Sequence, residues 1–97
     1  MEYIEIDNQA RPFRFSLIAM KKLCKITSST LSGLGQALDD IDNIVTMIPI
    51  GFEMGAKKEG TEIDFSRKDV EQWLDDDYSI IEQAMTIFGN SMTTGKK

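Results

Sequence analysis

The sequence contains no histidine. That excludes a histidine general base, a Ser-His-Asp triad and a histidine-ligated zinc site. Its one cysteine, Cys24, cannot form an internal disulfide, so nothing implies an oxidising compartment. No apolar run approaches the ~18 residues that span a bilayer. The longest such stretch, Ile44 to Phe52, is broken by Thr46, Pro49 and Gly51. There is no internal repeat and no low-complexity segment. The start, Met1-Glu2-Tyr3-Ile4-Glu5, is acidic and alternating. A secretory signal needs a basic start and an apolar run, so a cytoplasmic location is expected.

What remains is a chain of 97 residues, 41% hydrophobic, with 16 acids against 11 bases and a net charge of −5. Domains usually run to roughly 100–150 residues, so residues 1–97 are read as a single domain. The charge is polarised. Arg11, Arg14, Lys21, Lys22 and Lys25 crowd the first part, read as a solvated helix face. Residues 26–97 carry thirteen acids against six bases, a net of −7. An acidic domain of this kind argues against nucleic acid as a partner.

Residues 2–7 alternate and are rich in β-branched and aromatic types, which favours a strand. Asp7-Asn8-Gln9-Ala10 is turn chemistry. Arg11 to Phe15 alternates again, so residues 2–15 read as a β-hairpin. Pro12 has no N–H and places its strand at an edge. Ser16 is an N-cap candidate for a helix ending near Thr27, with Leu17, Met20, Leu23 and Cys24 on its buried side. Thr30 to Leu38 reads as a short helix weakened by Gly33 and Gly35.

Ile41, Ile44, Val45, Ile48 and Phe52 follow at helical spacing, the strongest such signal in the chain. Asp39, Asp40 and Asp42 suit the start of that helix. Pro49 is expected to kink or split it, and Gly55 to Gly60 to close it. Ser66-Arg67-Lys68-Asp69 is a near capping box. It opens a helix with Val70, Trp73 and Leu74 on one face. Asp75-Asp76-Asp77 ends that helix and caps the next, where Tyr78, Ile81, Met85, Phe88 and Met92 form the stripe. Gly89-Asn90 is read as the beginning of that helix's end. The resulting expectation is a mainly α fold. A short N-terminal β-hairpin (2–15) precedes about five helices in a small single-domain bundle (16–92), with a flexible tail at 93–97.

Chemistry is sparse. Cys24 falls on a buried stripe, where a free thiol behaves as a small hydrophobe. The three consecutive aspartates lack the alternating oxygens, glycine and terminal glutamate of a calcium loop. Gly33-Leu34-Gly35 lacks the rest of a phosphate loop. No catalytic, cofactor-binding or metal residue is assigned, and no cofactor is expected. The helical methionines read either as ordinary core filling or as an adaptable apolar surface suited to varied partners. Candidate partner-binding residues are Ile50, Met54, Met85, Phe88 and Met92.

With that layout, the chain resembles the small phage tail assembly chaperones encoded ahead of the tape measure protein. The matching pieces begin with the hairpin ending in Phe13-Arg14-Phe15. Next is Ala19-Met20-Lys21-Lys22-Leu23-Cys24-Lys25-Ile26-Thr27, running into the Leu/Gly stretch at 31–38. The middle helix ends in Gly51-Phe52-Glu53-Met54-Gly55, and a Ser-x-x-Asp-Val-x-x-Trp-Leu-Asp-Asp segment spans Ser66 to Asp76. The likeness covers about residues 3–92 and consists of packing and capping patterns.

The resemblance implies a non-enzymatic protein of the host cytoplasm that binds the tape measure protein and keeps it soluble. It implies loss of the chaperone as tail tube subunits polymerise, and hence absence from the mature virion. The tail tube protein is a further implied partner. Relatives often have a longer frameshifted form. The resemblance assigns no site residues. Oligomeric state stays open, a homo-oligomer included, and no membrane partner is expected. Two other readings stand beside it, a small virion structural protein such as a head–tail connector and an acidic host-directed inhibitor.

Overall fold

A computed structural model describes the backbone of residues 2–94 and the side chains of residues 2–91. The chain is mainly helical, an antiparallel two-stranded hairpin followed by five helices. Strand β1 (Glu2–Ile6) pairs with β2 (Gln9–Phe13), placing Ile6 opposite Gln9 and Glu2 opposite Phe13. The turn is tighter than the sequence suggests. Asp7 and Asn8 both take positive φ, 51° and 66°. That is the two-residue turn whose twist matches the strands, and Asp and Asn tolerate it. Gln9 and Ala10 therefore join β2.

Helix α1 (Leu17–Thr27) begins as expected, with Ser16 Oγ accepting from the Ala19 N–H at 3.2 Å. Its buried face is rotated from the expected one. Ala19 and Leu23 are buried, Met20 and Cys24 half-buried, and Leu17 is 74% exposed. At ~100° per residue the covered side centres near Ala19, Leu23 and Thr27, with Leu17 beyond its edge. Helix α2 (Leu34–Ala37) is a single turn, shorter than the Thr30–Leu38 helix expected, with Gly33 just before it and Gly35 inside it.

Helix α3 (Ile41–Glu59) is the axle of the fold. Asp40 caps it, its carboxylate accepting from the Asp42 N–H at 2.9 Å. Of the kink or split expected at Pro49, the split does not occur: the helix runs through both Pro49 and Gly55, and it stops at Gly60, where φ is 74°. Pro49 forfeits one backbone hydrogen bond. Yet nearly every residue from Met47 to Ala56 is buried, because the hairpin, α1, α4 and α5 pack around this segment. A helix that is apolar all round is one that is buried all round.

Helix α4 (Arg67–Asp76) opens with a complete capping box. Ser66 Oγ accepts from the Asp69 N–H at 3.1 Å, and Asp69 Oδ2 accepts from the Ser66 N–H at 2.8 Å. Asp77 then accepts from the Ser79 N–H at 3.0 Å at the start of α5 (Ser79–Thr94). The covered face of α5 is Ile80, Ala84, Ile87 and Phe88, which leaves Tyr78 at its rim, 73% exposed. The helix passes Gly89-Asn90 and continues to Thr94, so residues 93 and 94 belong to α5. Residues 95–97 of the expected tail lie outside the described residues.

Aromatic rings knit these elements together. Phe52 on α3 meets Phe13, Trp73 and Phe65 edge-on, with centroids 5.0, 5.5 and 6.2 Å away. Arg11 lies 4.8 Å from the Trp73 centroid and 5.6 Å from that of Phe65, and it donates to Asp64 at 3.0 Å. Such a cation over aromatic faces adds roughly 0.5–2 kcal/mol. The guanidinium holds the Asp64 carboxyl below its usual value, first by hydrogen bonding and then by charge. A carboxyl lowered in the folded state contributes stability above its unfolded value, about 3.9, and loses it as pH falls through the folded value. Asp64→Asn is expected to lower the urea midpoint near neutral pH and to match the parent in acid below both values. A gap that persists in acid would assign the effect to packing.

Candidate partner-binding groove

The core uses up most of the large apolar side chains, and what it leaves uncovered is confined to a few places. One is a groove of about 890 Å³ lined by residues of α3, α4 and α5. Ile41 and Val45 come from the first turns of α3, Leu74 from α4, Tyr78 from the link and Ile81 from α5. Ile41 and Tyr78 are 58% and 73% exposed, while Val45 and Ile81 are half-buried and Leu74 is buried. The groove is thus an outward continuation of the core. Glu71, Asp75 and Glu82 stand on its rim with Lys68, three carboxylates against one ammonium. Asp42, Asp76 and Asp77 are exposed nearby in sequence.

Local sequence accounts for the opening. The apolar stripe of α3 starts at Ile41, two turns before the neighbours cover the helix fully. Tyr78 sits in the link between α4 and α5, where Asp77 caps the next helix. The Asp77 carboxylate accepts from the Ser79 N–H and Oγ, at 3.0 and 2.7 Å. With α5 starting at Ser79, the tyrosine ring stays outside the covered face of that helix.

The residues expected to bind a partner fall elsewhere. Ile50 is fully buried, Met54 is 7% exposed and Phe88 is 6% exposed. They are core residues, and a partner could reach them only if the core opened. Phe88 meets Phe15 edge-on at 4.9 Å; the hairpin ends at Phe13, short of the residue 15 expected, so this contact ties the link between β2 and α1 to α5. Met85 is half-buried against the core, and the Met92 side chain lies outside the described residues. Met47 is fully buried as well. Among the described residues, Met47 and Met54 fill space inside, Met20 and Met85 are half-buried, and the exposed large apolar residues are Ile, Leu and Tyr. Ile41, Val45, Tyr78 and Ile81 all belong to the helical stripes visible in the sequence. The signal missing there is that these stripes extend beyond the helices that cover them.

The early basic patch is divided. Arg11 is engaged by Asp64 and the two rings, whereas Arg14, Lys21, Lys22 and Lys25 are exposed. On α1 the lysines share the outer face with Leu17, Ile18 and Ile26, which are 74%, 62% and 51% exposed. That face carries apolar and cationic groups interleaved, in contrast to the acidic groove.

Among the described residues no three His, Cys, Asp or Glu side chains gather in a way that could hold a metal ion. No buried polar or charged residue is found there either. No described helix is long and apolar enough to cross a membrane. Compared with protein-family models, curated proteins and solved structures, the chain matches none.

Proposed function

We propose that the protein is a phage tail assembly chaperone that binds the tape measure protein, keeps it soluble and helps the tail tube assemble. The observation that carries this reading is the apolar groove of Ile41, Val45, Leu74, Tyr78 and Ile81, left open outside a complete core and rimmed by acids. The sequence resemblance supports it independently.

The physics is that of shielding. A long helical chain with an apolar stripe self-associates in water, because burying the stripe against a second copy removes apolar surface. A small acidic partner that covers part of the stripe competes with that association. Its charge then repels other chaperone-coated segments. Nothing in this role requires proton transfer, a nucleophile or a metal. Release follows once tail tube subunits cover the same stripe in its place.

Co-expression with the tape measure protein is the test. The tape measure protein is expected in the soluble fraction with the chaperone and in the pellet without it, and the two are expected to co-purify. Purified virions are expected to lack the chaperone. An unchanged pellet without co-purification rejects the role. Stoichiometric presence in virions would instead identify a structural component such as a connector.

A further inference from the structure

We infer that the groove between α3, α4 and α5 takes a cationic amphipathic helix, one whose apolar stripe is flanked by lysine or arginine. The inference deepens the chaperone reading by naming the chemistry of the bound segment, and it rests on that reading for its biological partner.

Three observations converge. One wall of the groove carries an apolar ridge at helical spacing. Ile41 and Val45 are four residues apart on α3, while Tyr78 stands in the link just ahead of Ile81 on α5. Side chains at the four-residue spacing form the ridges between which another helix packs. Second, Ile41, Val45, Leu74, Tyr78 and Ile81 give the groove an apolar lining, and its polar residues are all solvent-exposed, none of them buried. A small ligand is normally oriented by a few convergent polar groups inside its pocket. Third, the polar groups stand on the rim and are mostly of one sign, Glu71, Asp75 and Glu82 against Lys68. Rim charges set partner choice and on-rate more than raw affinity. An acidic rim selects a basic flank and rejects an acidic one.

The probes are two synthetic capped peptides of about 18 residues, long enough for measurable helicity. Both carry leucine at i, i+3, i+4 and i+7, one with lysine flanks and one with glutamate flanks. Binding to the full chain is measured by fluorescence anisotropy at low salt. The lysine peptide is expected to bind about tenfold tighter, the sum of several exposed charge pairs. The preference should shrink as salt is raised. Two variants locate the site. The triple variant Glu71→Lys, Asp75→Lys and Glu82→Lys changes only exposed positions and is expected to invert the preference. Tyr78→Ala removes an exposed ring and is expected to weaken both peptides at least several-fold, with circular dichroism unchanged.

Equal affinity for the two peptides, no binding of either, or a lysine preference that survives the triple variant would each overturn the inference. So would a chain that self-associates alone in sedimentation and dissociates on Tyr78→Ala, since the groove then belongs to a second copy. The two proposals fail separately. Tape measure co-purification without a charge preference rejects the cationic helix and leaves the chaperone role. A lysine preference without co-purification does the reverse.

Discussion

Phe52→Ala is expected to cost about 3–5 kcal/mol of folding stability, the usual range for truncating a buried phenylalanine. Phe52 is 1% exposed and stands at the crossing of four elements. Its ring meets Phe13 of β2, Trp73 of α4 and Phe65 of the linker before α4, all nearly edge-on. Edge-to-face pairs add roughly 0.5–1.5 kcal/mol each beyond burial. The side chains around it belong to different elements held apart by their own packing, so the cavity left behind would close poorly. For a domain near this size the loss translates to a fall in Tm on the order of 20 °C. Thermal denaturation followed by circular dichroism measures it, and Trp73 fluorescence reports the same transition locally. A loss below about 1 kcal/mol would put Phe52 outside the core.

Gly55→Ala is expected to be nearly as damaging, at about 3 kcal/mol or more, the upper end of overpacking costs. The direction runs against helix propensity, which favours alanine over glycine by about 1 kcal/mol in a helix interior. Tertiary contact reverses the sign. A Cβ at Gly55 would land on the backbone carbonyl of Pro12, well inside van der Waals contact. One turn earlier, a Cβ at Gly51 would land on the ring of Phe13. These two glycines make a flat strip along α3, and β2 lies directly on it. The Arg14 N–H donates to the Gly51 carbonyl at 3.0 Å along the same seam. A ring can tilt aside, but a strand backbone moves only with the hairpin. Gly89→Ala serves as the control, because a Cβ there meets nothing within 4 Å. It sits inside α5 and is expected to stabilise the protein by up to about 1 kcal/mol. Chemical denaturation of the two variants should therefore give opposite signs. If Gly55→Ala were neutral, the close seating of the hairpin on α3 would be wrong.

The local features were readable because their causes are local. Ser16, Asp40, Ser66 and Asp77 cap helices through hydrogen bonds that span only two or three residues, and residue type within that span decides them. The apolar stripe of α3 announced a helix, since apolar residues recurring with a period near 3.6 line one face of a helix and no face of a strand. The hairpin followed from two alternating segments on either side of the turn residues Asp7 to Ala10, and the pairing of the strands narrowed that turn to Asp7 and Asn8. Where expectation and structure part, a long-range contact is responsible. Pro49 reads as a kink or a split, and the packing around Met47 to Ala56 keeps the helix unsplit there. Gly55 reads as a helix end, whereas the strand crossing there demands it inside the helix.

The candidate site divides the same way. Residue order was enough to establish a hairpin followed by helices, a concentration of acids beyond residue 25 and the closure of histidine chemistry. It also supplied more apolar stripe than a core of this size would hide. Which part of each stripe stays outside depended on the packed fold. Ile50, Met54 and Phe88 carry the same apolar character as Ile41 and Tyr78, and a one-dimensional pattern treats them alike. Burial depends on how far neighbouring helices reach along one another, a relation between residues distant in sequence. Because the hairpin, α1, α4 and α5 cover the middle of α3 and leave its first turns partly open, Ile50 became core and Ile41 became the edge of an acidic groove.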